Sequence, residues 1–309
     1  MLQELTSNDI KSIFKNSGLG TPNEIKKINV GFSNDIFSID EKYVLKSAKV
    51  EGDNNYLERE IYLCNLLKDK LPTAKIVHSD TTKQYTERVF IIYEKVQGEN
   101  LYLKWHEYSE LEKRNIIKDI CDFLKIINET SVEDYAAMFG INSSLSWQDI
   151  VMSKIKEYVS VIKDKHILED DLIAKIETFI EQNKEVLNEE KIALTYYDPH
   201  FDNFIVRDKK IVAILDFERC DVFSIDFVLD LVQRMVLEPK KYASEHAENF
   251  IVAKDYAKLM DWYKEFYPEL FDFTDMDTRI ALYSIAHDLR ERIEFNNIES
   301  KQRLMNVVG

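Results

Sequence analysis

One stretch gathers most of the side chains able to do chemistry. It reads Tyr196-Tyr197-Asp198-Pro199-His200-Phe201-Asp202-Asn203-Phe204-Ile205-Val206, followed by Ile214-Leu215-Asp216-Phe217-Glu218. A single Asp or Asn between strands is ordinarily a turn former. Here Asp198 and Asn203 stand across one loop, Asn203 opens a hairpin, and Asp216 closes the return strand behind Ala213, Ile214 and Leu215. A carboxylate at the end of a buried strand needs a partner that offsets its desolvation. Phosphoryl transfer supplies one. A carboxylate orients a hydroxyl and accepts its proton, while an amide oxygen and a second carboxylate hold Mg²⁺ against nucleotide phosphates. The pattern Asp-x-x-x-x-Asn, then Asp after a hairpin, casts Asp198 as the base and Asn203 and Asp216 as the metal ligands.

The elements that must carry these residues change character along the chain. Residues 7–18 predict a short helix capped by Ser7 or Asn8, with Ile10, Ile13 and Phe14 on one face. Residues 25–30, 35–39 and 43–48 are β-prone runs that form an antiparallel meander. Residues 54–70 have helical spacing, and 74–79 and 88–96 are strands. After Gly98, helices dominate at 109–128, 147–162 and 170–187. A β island at 192–197, 204–207 and 211–217 interrupts them, and helices resume from Ser224. Strands first and helices later predict an α+β chain with a small N-terminal lobe, 1–97, and a larger helical C-terminal lobe, 98–309.

Composition narrows the function classes. The chain has 309 residues, 45% apolar and 31% charged, a globular balance. Acids outnumber bases 56 to 41, giving a formal charge of −15. Such a surface repels polyanions, so nucleic acid is not an expected partner. The seven glycines fit neither G-x-G-x-x-G nor G-x-x-x-x-G-K-[ST]. Cys64, Cys121 and Cys220 are far apart, which argues against a zinc site or a disulfide framework. The first nine residues lack the apolar segment of a signal peptide, and no run approaches the roughly 20 apolar residues that span a bilayer. A cytoplasmic monomer is the expectation.

With these residues in view, the sequence resembles the aminoglycoside phosphotransferase and choline kinase group of small-molecule kinases, which share the protein-kinase-like bilobal fold. Their loop commonly reads H-x-D-x-H-x-x-N, followed by a hairpin ending I-D-[FW]. Tyr196 to Asn203 and Ile214-Leu215-Asp216-Phe217 match it, with Tyr196 in place of the first His. The D-P that follows in the family is missing, and Asp226 occupies that stretch. The likeness is closest to the aminoglycoside enzymes and implies Mg²⁺, ATP or GTP as phosphate donor, and an alcohol acceptor. It further implies a loop over the phosphates, matched by Gly31-Phe32-Ser33-Asn34, so that Gly31, Ser33 and Asn34 become nucleotide contacts. A strand lysine, Lys46, and a helix glutamate, Glu60, would grip the phosphates, with Glu58 the alternative if the helix register differs. Tyr93 would wall the purine pocket and so filter toward GTP or simply pack in the lobe core with ATP as donor, and the backbone of Glu94 to Val96 would bond the base.

Between Asp198 and Asp230, eight acids face four bases, a local balance of −4 that suits a cationic acceptor. An aminoglycoside fits that field; choline or another small amino-alcohol or sugar is the alternative. His200, Asp202 and Glu218 are the expected acceptor contacts. The 136–147 segment and the later helices would form its wall, with Tyr102, Trp105, Trp147, Trp262 and Tyr263 available to stack. Two other classes compete. Asp198, His200 and Asp202 alternate, and on an extended strand they would share a face and hold a hydrolytic metal. The other histidines are scattered singly, and that reading leaves Lys46 idle. A non-catalytic nucleotide-binding regulator would ordinarily lack one of Asp198, Asn203 or Asp216.

Overall fold

The computed structural model describes residues 4–28, 34–50, 54–142, 144–243 and 247–309. Helix α1 (Ser7–Asn16) starts from Thr6, not from Ser7 or Asn8. The Thr6 hydroxyl accepts the Asp9 N–H and the Asp9 carboxylate accepts the Thr6 N–H at 2.8 Å, a reciprocal cap that only Thr6 can make. Strands β1 (Ile25–Ile28), β2 (Asn34–Ile39) and β3 (Tyr43–Ala48) lead into helix α2 (Asn54–Leu67), then β4 (Ile76–Asp80) and β5 (Phe90–Glu94). They form one antiparallel sheet in the order β1-β2-β3-β5-β4.

Alternation along these strands divides two cores. Phe37, Ile39, Leu45, Phe90 and Ile92 pack beneath Ile10, Ile13 and Phe14 of α1. Ala48, Ile91 and Tyr93 point to the opposite face, where Leu57, Leu63, Cys64 and Leu67 of α2 cover them. Lys46 follows Leu45, so the pleat turns it toward α2.

The rest of the chain is mostly helical. It runs through β6 (Glu99–Asn100), α3 (Leu101–Trp105), α4 (Glu110–Asn128), α5 (Val132–Phe139), α6 (Trp147–Asp164) and α7 (Asp170–Asn183). Strands β7 (Ile192–Tyr196), β8 (Phe204–Arg207), β9 (Lys210–Ile214) and β10 (Cys220–Ser224) follow, then α8 (Val228–Leu237), α9 (Leu259–Phe266), α10 (Met276–Phe295) and α11 (Ile298–Val308). β7 pairs with β10, and β8 sits between β6 and β9. Asp208 and Lys209, both at positive φ (52° and 62°), make the two-residue turn of the β8–β9 hairpin.

The short elements β6, α3, α5 and β10 were not evident from periodicity, because each is stabilised by its neighbours rather than by its own pattern. Asp226, which occupies the stretch where the resembled family has D-P, is fully buried. Arg279 pairs with it through Nε at 2.8 Å, and the Tyr283 hydroxyl donates to it at 2.8 Å. That network anchors the chain after β10 to α10. Among the described residues, no helix is long and apolar enough to cross a membrane.

Candidate active site

Three carboxylates converge on one lysine. The Lys46 Nζ lies 2.7 Å from Glu60 Oε2 and 3.0 Å from Glu218 Oε2, and it also hydrogen-bonds Asp216. Among the described residues, Glu60, Asp216 and Glu218 are the one trio of acidic, His or Cys groups whose ligand atoms lie within 4.8 Å of one another. Lys46, Glu60 and Glu218 are buried, whereas the Asp216 side chain is 40% exposed and opens the cluster to solvent.

The helix period explains why Glu60 and not Glu58 is there. Leu57, Glu60, Leu63, Cys64 and Leu67 recur three and four apart and form the buried face of α2, and Glu58 lies off it. The Tyr93 hydroxyl donates to Glu60 Oε1 at 2.7 Å, so both Glu60 oxygens are held. Burial, opposed by Lys46 and reinforced by Asp216 and Glu218, pushes the Glu60 carboxyl up to about 7. Burial also works to raise Asp216, but the Lys46 ammonium overrides it and holds that carboxyl below its ordinary range. For Lys46, burial favours the neutral amine, and the carboxylates around it overcome that and keep it charged.

The second half of the site is the loop from Tyr197 to Asn203. Its first residues are extended, and Phe201–Asn203 forms a single 3₁₀ turn. Asn203 Nδ2 donates to the Asp198 carbonyl at 2.8 Å, and the Leu215 N–H donates to the Asn203 carbonyl at 2.8 Å. The Tyr196 hydroxyl donates to the Leu215 carbonyl at 3.0 Å. Tyr196, which stands where the resembled motif has His, thus braces the residue just before Asp216. Asp216 lies two residues past the end of β9, not at its end, in the left-handed region at φ 57° and ψ 47°. Such a conformation is uncommon for a residue with a Cβ, and Asp tolerates it better than most. It aims the carboxylate back at Lys46. His200 Nε2 is 3.8 Å from the Asp198 carboxylate.

Several expectations change. Glu218 was expected beside the acceptor; it is instead buried against Lys46 and accepts Asn34 Nδ2 at 2.9 Å. Asn34 therefore touches the far half of the site rather than only a phosphate loop. Gly31 and Ser33 lie outside the described residues. The Glu94 N–H already donates to the Lys75 carbonyl at 2.9 Å, which removes it from the set of groups able to bond a base. Val96 follows β5 in irregular chain. Asp198, His200 and Asp202 do not converge as a metal trio, because the 3₁₀ turn breaks the alternation an extended strand would have given. The Asp202 carbonyl accepts Asn100 Nδ2 at 3.0 Å. Tyr102, Trp105, Trp147, Trp262 and Tyr263 are all buried in the core, so none is presented for stacking. Sequence reasoning gave no site role to Arg219, which lies over the Tyr56 ring at 5.6 Å and whose pKa, lowered by burial, is raised on balance by Tyr197 and Glu218 and less by Asp198.

A model of the family described as "Phosphotransferase enzyme family" matches residues 24–232, well over half of the chain. The chain belongs to that family. No curated protein sequence matches it. Solved structures with the same fold include aminoglycoside phosphotransferase APH(2'')-Ib with ADP bound, at 21% identity and a TM-score of 0.69, covering 98% of this chain and 97% of that one. The gentamicin complex of APH(2'')-IIa is 20% identical, with a TM-score of 0.70 and coverage of 99% and 97%. A thermostable mutant of APH(4)-Ia with AMP-PNP and hygromycin B is 13% identical, with a TM-score of 0.68 and coverage of 98% of both chains. The kinase-like fold of this phosphotransferase family member is thereby shown along nearly its whole length.

Proposed function

We propose that this family member is a nucleotide-dependent O-phosphotransferase that moves the γ-phosphate of ATP or GTP to a hydroxyl of a small cationic acceptor, an aminoglycoside. The observation that carries the reading is the Lys46 ammonium held by Glu60 and Glu218 beside the solvent-open Asp216. A lysine with four flexible carbons is a phosphate ligand only when something fixes its direction. Glu60, itself fixed by Tyr93, provides that.

In this reading residues 1–97 bind nucleotide and 98–309 carry the base and the acceptor. Asp198 orients the acceptor hydroxyl and takes its proton. The oxygens of Asn203 and Asp216 suit a hard cation, and the three-carboxylate cluster gives the site the negative charge such an ion requires. Asn203 and Asp216 would hold Mg²⁺, which would supply positive charge against the negative charge of the nucleotide phosphates. His200 and Asp202 flank the acceptor. The related structures with gentamicin and hygromycin B, and the acidic balance after Asp198, support an aminoglycoside.

Nucleotide turnover with MgATP and MgGTP, measured over aminoglycosides, choline, other amino-alcohols and sugars, tests the proposal. Acceptor-dependent turnover with an aminoglycoside is expected. Turnover with choline alone replaces the acceptor class, and none with any acceptor turns the protein into a regulator. The same assay on Tyr93→Ala reports whether Tyr93 biases the ATP to GTP ratio. An unchanged ratio removes it as a nucleotide filter.

A further inference from the structure

Next to Glu60 on α2 stands Arg59. Successive helix residues project about 100° apart, so when Glu60 faces the sheet Arg59 faces elsewhere. It reaches β10, where its Nη1 lies 2.8 Å from Asp221 Oδ2. The side chains are 11% and 21% exposed, so the pair is sheltered from solvent. Asp221 is fixed from its other side, because its Oδ1 accepts the Val222 N–H at 2.8 Å. Arg59 also lies over the rings of Tyr56 and Phe139, at 5.7 and 5.8 Å, with Phe139 supplied by α5. The Tyr135 hydroxyl of α5 donates to the Cys220 carbonyl at 2.9 Å, so α5 braces the start of β10 as well as α2.

Asp221 belongs to the short run that begins at Asp216 and includes Glu218. The Arg59–Asp221 contact therefore joins the helix bearing Glu60 directly to the segment bearing the other two carboxylates around Lys46. Those carboxylates compete for one ammonium. If α2 drew away, Glu60 would leave, and Asp216 and Glu218 would pull Lys46 toward themselves.

We propose that Arg59 and Asp221 form a positioning pair that clamps α2 to the Asp216–Asp221 segment, keeping Glu60 on Lys46 and so fixing the direction in which the ammonium meets the nucleotide phosphates. The inference rests on the reading of Lys46 as a phosphate ligand. It assigns neither residue to the chemistry itself.

Binding of MgADP, measured by calorimetry without any acceptor, tests it in Arg59→Gln, Asp221→Asn, the double variant and Lys46→Ala. Both single substitutions keep a hydrogen-bonding group while removing charge, and Asp221→Asn also keeps size. Each is expected to weaken MgADP about tenfold, within the range of coupling between contacting residues. The double variant should bind no more weakly than the worse single. A purely structural contact would lower the melting temperature and leave affinity in place. Folded single variants within about twofold of the parent, or losses that multiply in the double, overturn the positioning role if Lys46→Ala binds weakly. Lys46→Ala binding MgADP as the parent does overturns the underlying reading instead. Should Arg59→Gln not fold, Asp221→Asn decides, since its side chain can still accept the Val222 N–H.

Discussion

Lys46→Met removes one charge from a site that holds three opposite ones, and its consequence can be worked from the contacts. The side chains of Lys46, Glu60 and Glu218 are 5%, 4% and 6% exposed, so water cannot replace the lost ammonium without opening the packing around the cluster. Breaking a buried pair by deleting one partner leaves an uncompensated charge and is destabilising by about 3–5 kcal/mol. Asp216 adds little to that figure because its side chain is well exposed. At roughly 2–4 °C per kcal/mol for a chain of this class, the melting temperature should fall by roughly 6–20 °C. The sign of the pH dependence follows. Lys46 opposes the burial that already holds the Glu60 carboxyl at about 7, so without Lys46 that carboxyl rises further, and a raised carboxyl destabilises the fold increasingly as pH climbs from its unfolded toward its folded value. That penalty disappears below about pH 4.5, where folded and unfolded carboxyls are both protonated. The deficit relative to the parent should therefore be largest at pH 8 and shrink toward pH 5. Thermal unfolding of both proteins across that range is the assay. A deficit below about 2 °C at pH 8, or one that widens as pH falls, refutes the electrostatic account of the cluster.

Asp198→Asn should keep nucleotide affinity and lower turnover by roughly 10²–10⁴, the usual contribution of a general base; parental turnover would remove Asp198 from that role. Asp216→Ala should abolish the tightening of nucleotide binding by Mg²⁺, read by titration with and without the ion, and persistence of that tightening would mean the ion binds elsewhere. Gly98→Ala should destabilise the protein by about 1–3 kcal/mol in denaturant unfolding. A Cβ there would stand 2.6 Å from Ile205 Cγ2 and 2.8 Å from the Val206 carbonyl, at a backbone φ of 157°. An unchanged midpoint would show that β6 shifts to make room.

How much the residues alone could say differs from one part of the site to another. The loop order Asp198, Asn203, Asp216 was legible because a tight turn and a two-residue hairpin are local, and local geometry is written in adjacent side chains. The polar run 208–210 was legible as a hairpin turn, although Lys210 already belongs to β9 and the turn closes on Asp208 and Lys209 alone. The α2 period was legible in the same way from Leu57, Ile61, Cys64 and Leu67, although Ile61 is only half-buried, beside the face that meets the sheet. Yet the choice between Glu58 and Glu60 waited on which side of α2 met the sheet. Glu218 illustrates the opposite case. Its neighbours in sequence suggest a solvent-facing acid near the acceptor, and only the approach of β3 and Asn34, 184 residues away in sequence, turns it into a buried partner of Lys46. The aromatic residues behave likewise, because a Trp or Tyr at helical spacing reads the same whether it lines a cavity or fills a core. Arg59 and Asp221, separated by 162 positions, carry no signal of their meeting. The chain's local chemistry and the order of its elements follow from short-range sterics and hydrogen bonding. Which charges neutralise one another is decided by tertiary packing, because desolvation and Coulomb pairing depend on distances that exist only once the two halves are folded together.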